Sequence, residues 1–116
     1  TVSLLYQTAF SGRAEVGLAG DDALHIKVSA DGAAWHEAIV IDPATGRTGI
    51  GTAAPSSTLH VAGTVRVGQY AKAALPSASA NGAGALIYVN DESGGPVMAF
   101  SDGTAWRRVT DRAVVA

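Results

Sequence analysis

The side chains of this 116-residue chain with most scope for chemistry are ten acidic residues and three histidines, and their spacing decides what they can do. Glycan hydrolysis needs two carboxylates brought together, or a nucleophile and a base. The candidates are Asp21, Asp22, Glu37, Asp42, Asp91, Glu92, Asp102 and Asp111. Most stand in stretches that read as turns, where a short carboxylate accepts bonds from its own backbone. Turn-capping is therefore the expected role. The pairs Asp21-Asp22 and Asp91-Glu92 offer oxygens to calcium but lack the regular oxygen spacing of a calcium loop. His25, His36 and His60 are each without a second ligand two or four residues on, so no single element presents a metal pair. Gly49-x-Gly51 has neither the Lys-Ser/Thr pair nor the following helix of a phosphate loop. No catalytic residue, metal or cofactor is expected.

Binding is a different matter. An aromatic ring matches the apolar C–H face of a pyranose, and a neighbouring guanidinium supplies donors for hydroxyl or acidic groups. The expected sugar-binding candidates are Trp35, Trp106, Arg107 and Tyr88, with Tyr6, Tyr70 and Arg108 as further members of the pool. The competing role for both tryptophans is as a core or intersubunit anchor, because each follows a tight turn in a chain with few large side chains.

The elements that must position these residues are short strands. Val2, Leu4 and Tyr6 alternate, a turn at Ser11-Gly12 follows, and Ala14–Ala19 alternates again, which predicts a hairpin. Leu24, Ile26 and Val28 fall on one side of the cleanest strand, with His25 and Lys27 on the other. Asp31-Gly32 predicts a two-residue hairpin turn into Trp35–Asp42, and Pro43–Gly46 the next turn. Gly49–Gly68 reads as two very short strands, around Leu59–Val61 and Val65–Val67, joined at a glycine corner. Residues 69–84 are rich in Ala, Ser, Pro, Asn and Gly and read as a linker, a short helix over Tyr70–Ala74 being the weaker alternative. From 85 to 116 the pattern gives a three-strand meander with a turn at Asp102-Gly103. Asp31-Gly32-x-x-Trp35 and Asp102-Gly103-x-x-Trp106 repeat one design. The fold class is all-β, with a lobe over 1–68, a linker over 69–84 and a C-terminal meander over 85–116.

Composition limits what such a fold can bury. Apolar residues make up 47%, but much of that is alanine, with two Trp, two Phe and one Met. A single chain has a thin core, and packing against its own copies is the simplest remedy. With no cysteine, neither disulfides nor thiolate metal sites are available. A net charge of −2 without a basic stripe argues against nucleic acid as a partner. No apolar run approaches the roughly 20 residues of a membrane span, and no charged and apolar leader opens the chain, so cytoplasmic synthesis is expected. A start at Thr1 inside an apparent strand reads as a piece of a longer polypeptide.

Two segments carry a resemblance. Gly49-Ile50-Gly51-Thr52 through Pro55 to Leu59-His60-Val61-x-Gly63, and Leu86-Ile87-Tyr88 through Asp102-Gly103 to Trp106-Arg107, are similar to the C-terminal regions of bacteriophage tail fibres and spikes, in particular those of alphaproteobacterial prophages and gene transfer agents. The resemblance implies a homotrimeric fibre tip on a virion or phage-like particle, touching host-surface polysaccharide. Other cyclic symmetries are open, and nothing carries over the self-cleaving chaperone domain of some fibres. Three functions are expected from it: a non-catalytic receptor-binding module, a polysaccharide depolymerase with carboxylates between subunits, or a trimerisation cap that touches no receptor.

Overall fold

The computed structural model describes all 116 residues, Thr1–Ala116, and the chain is all-β. It divides into two compact units, Thr1–Val65 and Arg66–Ala116.

The N-terminal unit is one six-stranded sheet in sequence order: β1 (Val2–Thr8), β2 (Ser11–Leu18), β3 (Leu24–Ser29), β4 (Trp35–Ile41), β5 (Thr48–Ile50) and β6 (Leu59–Val61). Neighbours pair antiparallel except β5 and β6, which are parallel and joined by a crossover loop. The first turn lies at Ala9-Phe10, not at the expected Ser11-Gly12: both residues take positive φ, 52° and 63°, so the chain reverses two residues earlier and Ser11-Gly12 joins β2. A turn with two positive φ values suits the right-handed twist of a hairpin, even without glycine. The Asp31-Gly32 reversal is a longer loop than a two-residue turn, because Asp31 Oδ1 accepts from both Ala33 N and Ala34 N and draws them into it. Of the two short strands expected in Gly49–Gly68, β6 forms, whereas Val65–Val67 makes no ladder and Val65 is exposed.

Register places alternate residues of this sheet on opposite faces. On one face, Leu4, Val16, Ile26, Ile39, Ile50 and Val61 stand opposite one another across all six strands. Beside them runs a second row of Val2, Leu18, Leu24, Ile41, Thr48 and Leu59. The other face carries Ser3, Gly17, His25, Val40, Gly49 and His60 in one row. It is this second, small and polar face that the unit covers, over β3, β4 and β5. A Cβ on Gly49 would collide with the Thr52 carbonyl, which shows how closely the crossover lies on it. Ser56 N donates to His60 Nδ1 at 3.1 Å, tying the same loop down, and Pro55 within it is buried. Val40 is the unit's one buried large apolar side chain, while the aliphatic face stays open.

The C-terminal unit is a four-stranded sheet of β7 (Gln69–Tyr70), β8 (Leu86–Val89), β9 (Val97–Ser101) and β10 (Trp106–Arg108), in the order β10-β9-β8-β7. The expected meander is β8-β9-β10, antiparallel throughout. The expected linker over 69–84 is instead part of this unit. Gln69 and Tyr70 form β7, parallel to β8, a 3-10 turn follows over Lys72–Ala74, and α1 spans Ala78–Asn81. The Ser77 hydroxyl caps α1 by accepting from Ala80 N at 3.1 Å. The absence of bulky residues there is what lets Ala78 enter the core, with Ile87, Val89, Ala99 and Trp106.

Candidate ligand-binding surface

The two Asp-Gly-x-x-Trp turns are built alike. Asp102 Oδ1 accepts from Thr104 N and Ala105 N, both at 2.8 Å, as Asp31 Oδ1 does from Ala33 N and Ala34 N. A serine hydroxyl completes each turn by accepting from the glycine: Ser29 from Gly32 N at 2.8 Å and Ser101 from Gly103 N at 3.1 Å. The glycines take φ of 82° and 94°, the left-handed region that few other residues tolerate.

The tryptophans that follow have different surroundings. Trp106 is buried, and its indole Nε1 donates to the Pro76 carbonyl at 2.7 Å. It anchors the C-terminal core and presents no ring face to a ligand, so it drops out of the sugar-binding set. Trp35 in the N-terminal unit is partly exposed, with Lys27 Nζ 5.7 Å from its ring centroid. That ammonium stands over one face of the ring.

Tyr88 and Arg107 share one face of the C-terminal sheet. Because β8 and β9 alternate, Ile87, Val89, Ala99 and Ser101 point into the core and Leu86, Tyr88, Met98 and Phe100 point away from it. Tyr88 lies opposite Met98, while Leu86, Phe100 and Arg107 form the adjoining row. The outer face of the C-terminal sheet thus carries two aromatic rings, Met98 and one guanidinium. Phe100 and Met98 were missed in the sequence, although the period of two that exposes Tyr88 also exposes them. Arg107 is aligned by Asp102, which accepts from its Nε, and Arg107 Nη1 donates to the Arg112 carbonyl at 3.0 Å. That guanidinium bond, reinforced by the Ala105 and Thr104 amides, lowers the Asp102 pKa to about 2.

Asp42, Asp91, Glu92 and Asp111 are committed to local structure, whereas Asp22 is exposed. Asp42 accepts from Ala44 N and from Thr45 Oγ1, and its pKa is lowered chiefly by the Ala44 amide. Asp111 holds Arg108 through two bonds of 3.0 and 2.9 Å. Asp91 accepts from Lys72 N at 2.7 Å, and the buried Glu92 accepts from Ser93 N and Ala116 N, so the Asp91-Glu92 pair binds backbone donors. A cleft of about 220 Å³ lies beside Glu92, between the Gly94–Val97 segment and Arg108, Thr110 and Asp111.

His25 is the one buried histidine. Its Nε2 donates to Asp21 Oδ1 at 2.6 Å and its Nδ1 to Glu37, an ion-pair bridge from the β2–β3 turn to β4. The Asp21 bond, with Glu37 adding to it, raises the His25 pKa, and the same bond lowers that of Asp21. His36 and His60 lie apart from it, opposite Val28 and Gly49 respectively, and no group of His, Asp or Glu side chains is arranged to hold a metal ion. No helix is long and apolar enough to cross a membrane. No protein-family model, curated protein or solved structure matches this chain.

Proposed function

We propose that the chain is a distal structural and receptor-binding module of a phage-like tail fibre or spike, attaching to host-surface glycan without catalysis. The observation that supports this reading is the outer face of the C-terminal sheet, where Tyr88, Phe100 and Arg107 share one side. Flat rings receive the apolar face of a sugar, and a guanidinium fixed by Asp102 offers its remaining donors to hydroxyl or carboxylate groups. A patch of this size binds weakly by itself. Several copies on one rigid tip raise overall binding by about 10²–10⁴ without any new contact.

The test is retention of the chain on purified envelope polysaccharides of alphaproteobacteria. Tyr88→Ala and Arg107→Ala are each expected to weaken binding by about tenfold, equivalent to about 1.4 kcal/mol. Unchanged retention in both variants overturns the reading. Release of reducing ends from the polysaccharide would replace it with a depolymerase. The open aliphatic face of the N-terminal sheet favours a second reading, a trimerisation cap that touches no receptor. Deletion of a cap abolishes assembly of the fibre, whereas deletion of a receptor module leaves a fibre that forms and does not adhere.

A further inference from the structure

We infer that the aliphatic face of the N-terminal sheet is the surface on which a second copy of this chain packs. The inference deepens the self-association in the proposed function by assigning it a surface. Three observations carry it. First, Val2, Leu4, Tyr6, Leu18, Val28 and Leu59 on that face are between 38% and 76% exposed in the intact chain, and Leu24 and Ile50 are each 36% exposed. Those fractions amount to roughly 700 Å² of apolar surface, close to the roughly 800 Å² per partner of a standard stable interface and above the usual largest patch of a monomer. Second, neither six-residue row contains Asp, Glu, Lys or Arg. A charged ligand finds no countercharge in either row, whereas an identical face meets it without like-charge repulsion. Third, β1 is exposed along its whole length and pairs on one edge only. It lacks the Lys or Pro with which solitary edge strands are protected. A face that is apolar across six strands and ends in such an edge is built to be covered, and every copy of the chain supplies a cover of the same shape.

The experiment is the solution mass of the full chain by light scattering across a concentration series, for the parent and three variants. The parent is expected at a multiple of 11.7 kDa. Leu4→Lys and Leu59→Lys place a charge at side chains that are 64% and 61% exposed in the single chain, so the lysines stay solvated when the chain is alone and become buried only on association. Each is expected to weaken self-association on the order of a hundredfold, while far-UV circular dichroism is unchanged. Leu5→Lys, on the opposite face of β1 and 51% exposed, is expected to leave the mass as it was. A folded parent with single-chain mass overturns the inference, as does an assembly that withstands both face variants or yields to Leu5→Lys instead. A single-chain mass together with intact polysaccharide binding sensitive to Tyr88→Ala would overturn this face and leave the adhesive reading standing.

Discussion

Trp106→Ala tests the assignment of Trp106 to the core, and its cost follows from the structure. The side chain is 5% exposed and packs with Ala78, Ile87, Val89 and Ala99. Truncating a buried tryptophan to alanine costs about 3–5 kcal/mol, since neighbours of this size relax only partly into the space. The substitution also leaves the Pro76 carbonyl without the indole donor, about 1 kcal/mol more. A unit of this length has only about 3–8 kcal/mol at 0.05–0.15 kcal/mol per residue, so most of its stability is lost. Trp106→Phe keeps much of the volume and is expected to cost about 1–2 kcal/mol, mainly through the orphaned carbonyl. Trp35→Ala is the internal comparison, because it removes the same residue from the same turn motif at a partly exposed position. It loses the Lys27 contact, worth about 0.5–1 kcal/mol at such a site. The assay is amide hydrogen exchange at Val89 and Ala99, both fully buried, alongside urea unfolding. Exchange there is expected to rise about a thousandfold or more in Trp106→Ala, at 1.4 kcal/mol per tenfold, and to stay unchanged in Trp35→Ala. Equal effects of the two alanine variants would refute the assignment of Trp106 to the core.

The N-terminal unit has its own signatures. His25 has a raised pKa in the folded state, so its contribution is fully present below its unfolded value of about 6.5 and is lost as pH rises through the folded value. Asp21 acts in the opposite sense: its lowered pKa stabilises above about pH 4 and the benefit is lost as pH falls through the folded value. The groups around the imidazole are Asp21 from the β2–β3 turn, Glu37 from β4 and, across β2, the Glu15–Lys27 pair. Urea midpoints are therefore expected to decline as pH rises above about 6.5, and His25→Gln is expected to abolish that decline. Gly49→Ala should loosen the crossover, since the new Cβ meets the Thr52 carbonyl and lies 3.1 Å from Thr52 Cγ2. A loss of about 1–3 kcal/mol is expected from such overpacking, read as faster proteolysis within residues 51–58.

The C-terminal unit was partly legible in the sequence because its signals are local. Alternation in Leu86–Val89 and Val97–Ser101 specifies both strands, and Asp102-Gly103 specifies the turn between β9 and β10. Residues 69–84 were not legible. Two residues of β7 carry no period, and α1 is four residues long, so both exist only through contacts that a sequence pattern does not contain: the parallel pairing of Gln69 with Tyr88 and the Ser101 hydroxyl donating to the Ala78 carbonyl at 2.7 Å. The sugar-binding candidates divided for the same reason. Period two fixes that Tyr88 and Arg107 stand on the outer face, whereas the two tryptophans are locally equivalent and only the Pro76 carbonyl and the surrounding core distinguish Trp106.

The N-terminal sheet separates two things that alternation is often taken to settle together. The pattern of β3 shows that Leu24, Ile26 and Val28 share one face and His25, Lys27 and Ser29 the other, but it does not show which face the chain covers. A single chain can cover only what its own loops reach, and the crossover between parallel strands β5 and β6 lies on the side of Gly49, where a missing Cβ leaves room for it. The covered face is consequently the one with Gly49, His25 and His60, and its polar groups are matched one by one: His25 with Asp21 and Glu37, Ser29 with the Ala34 carbonyl, His60 with Ser56 N. No buried side-chain nitrogen or oxygen lacks a partner. Polar residues on the inward side and aliphatic residues on the outward side invert the order of a solitary globular sheet, in which the hydrophobic effect drives the aliphatic face inward. The inversion becomes favourable once the outward face is itself interior to an assembly, which is why the mass of Leu4→Lys in solution bears on the fold of the single chain as directly as on its partners.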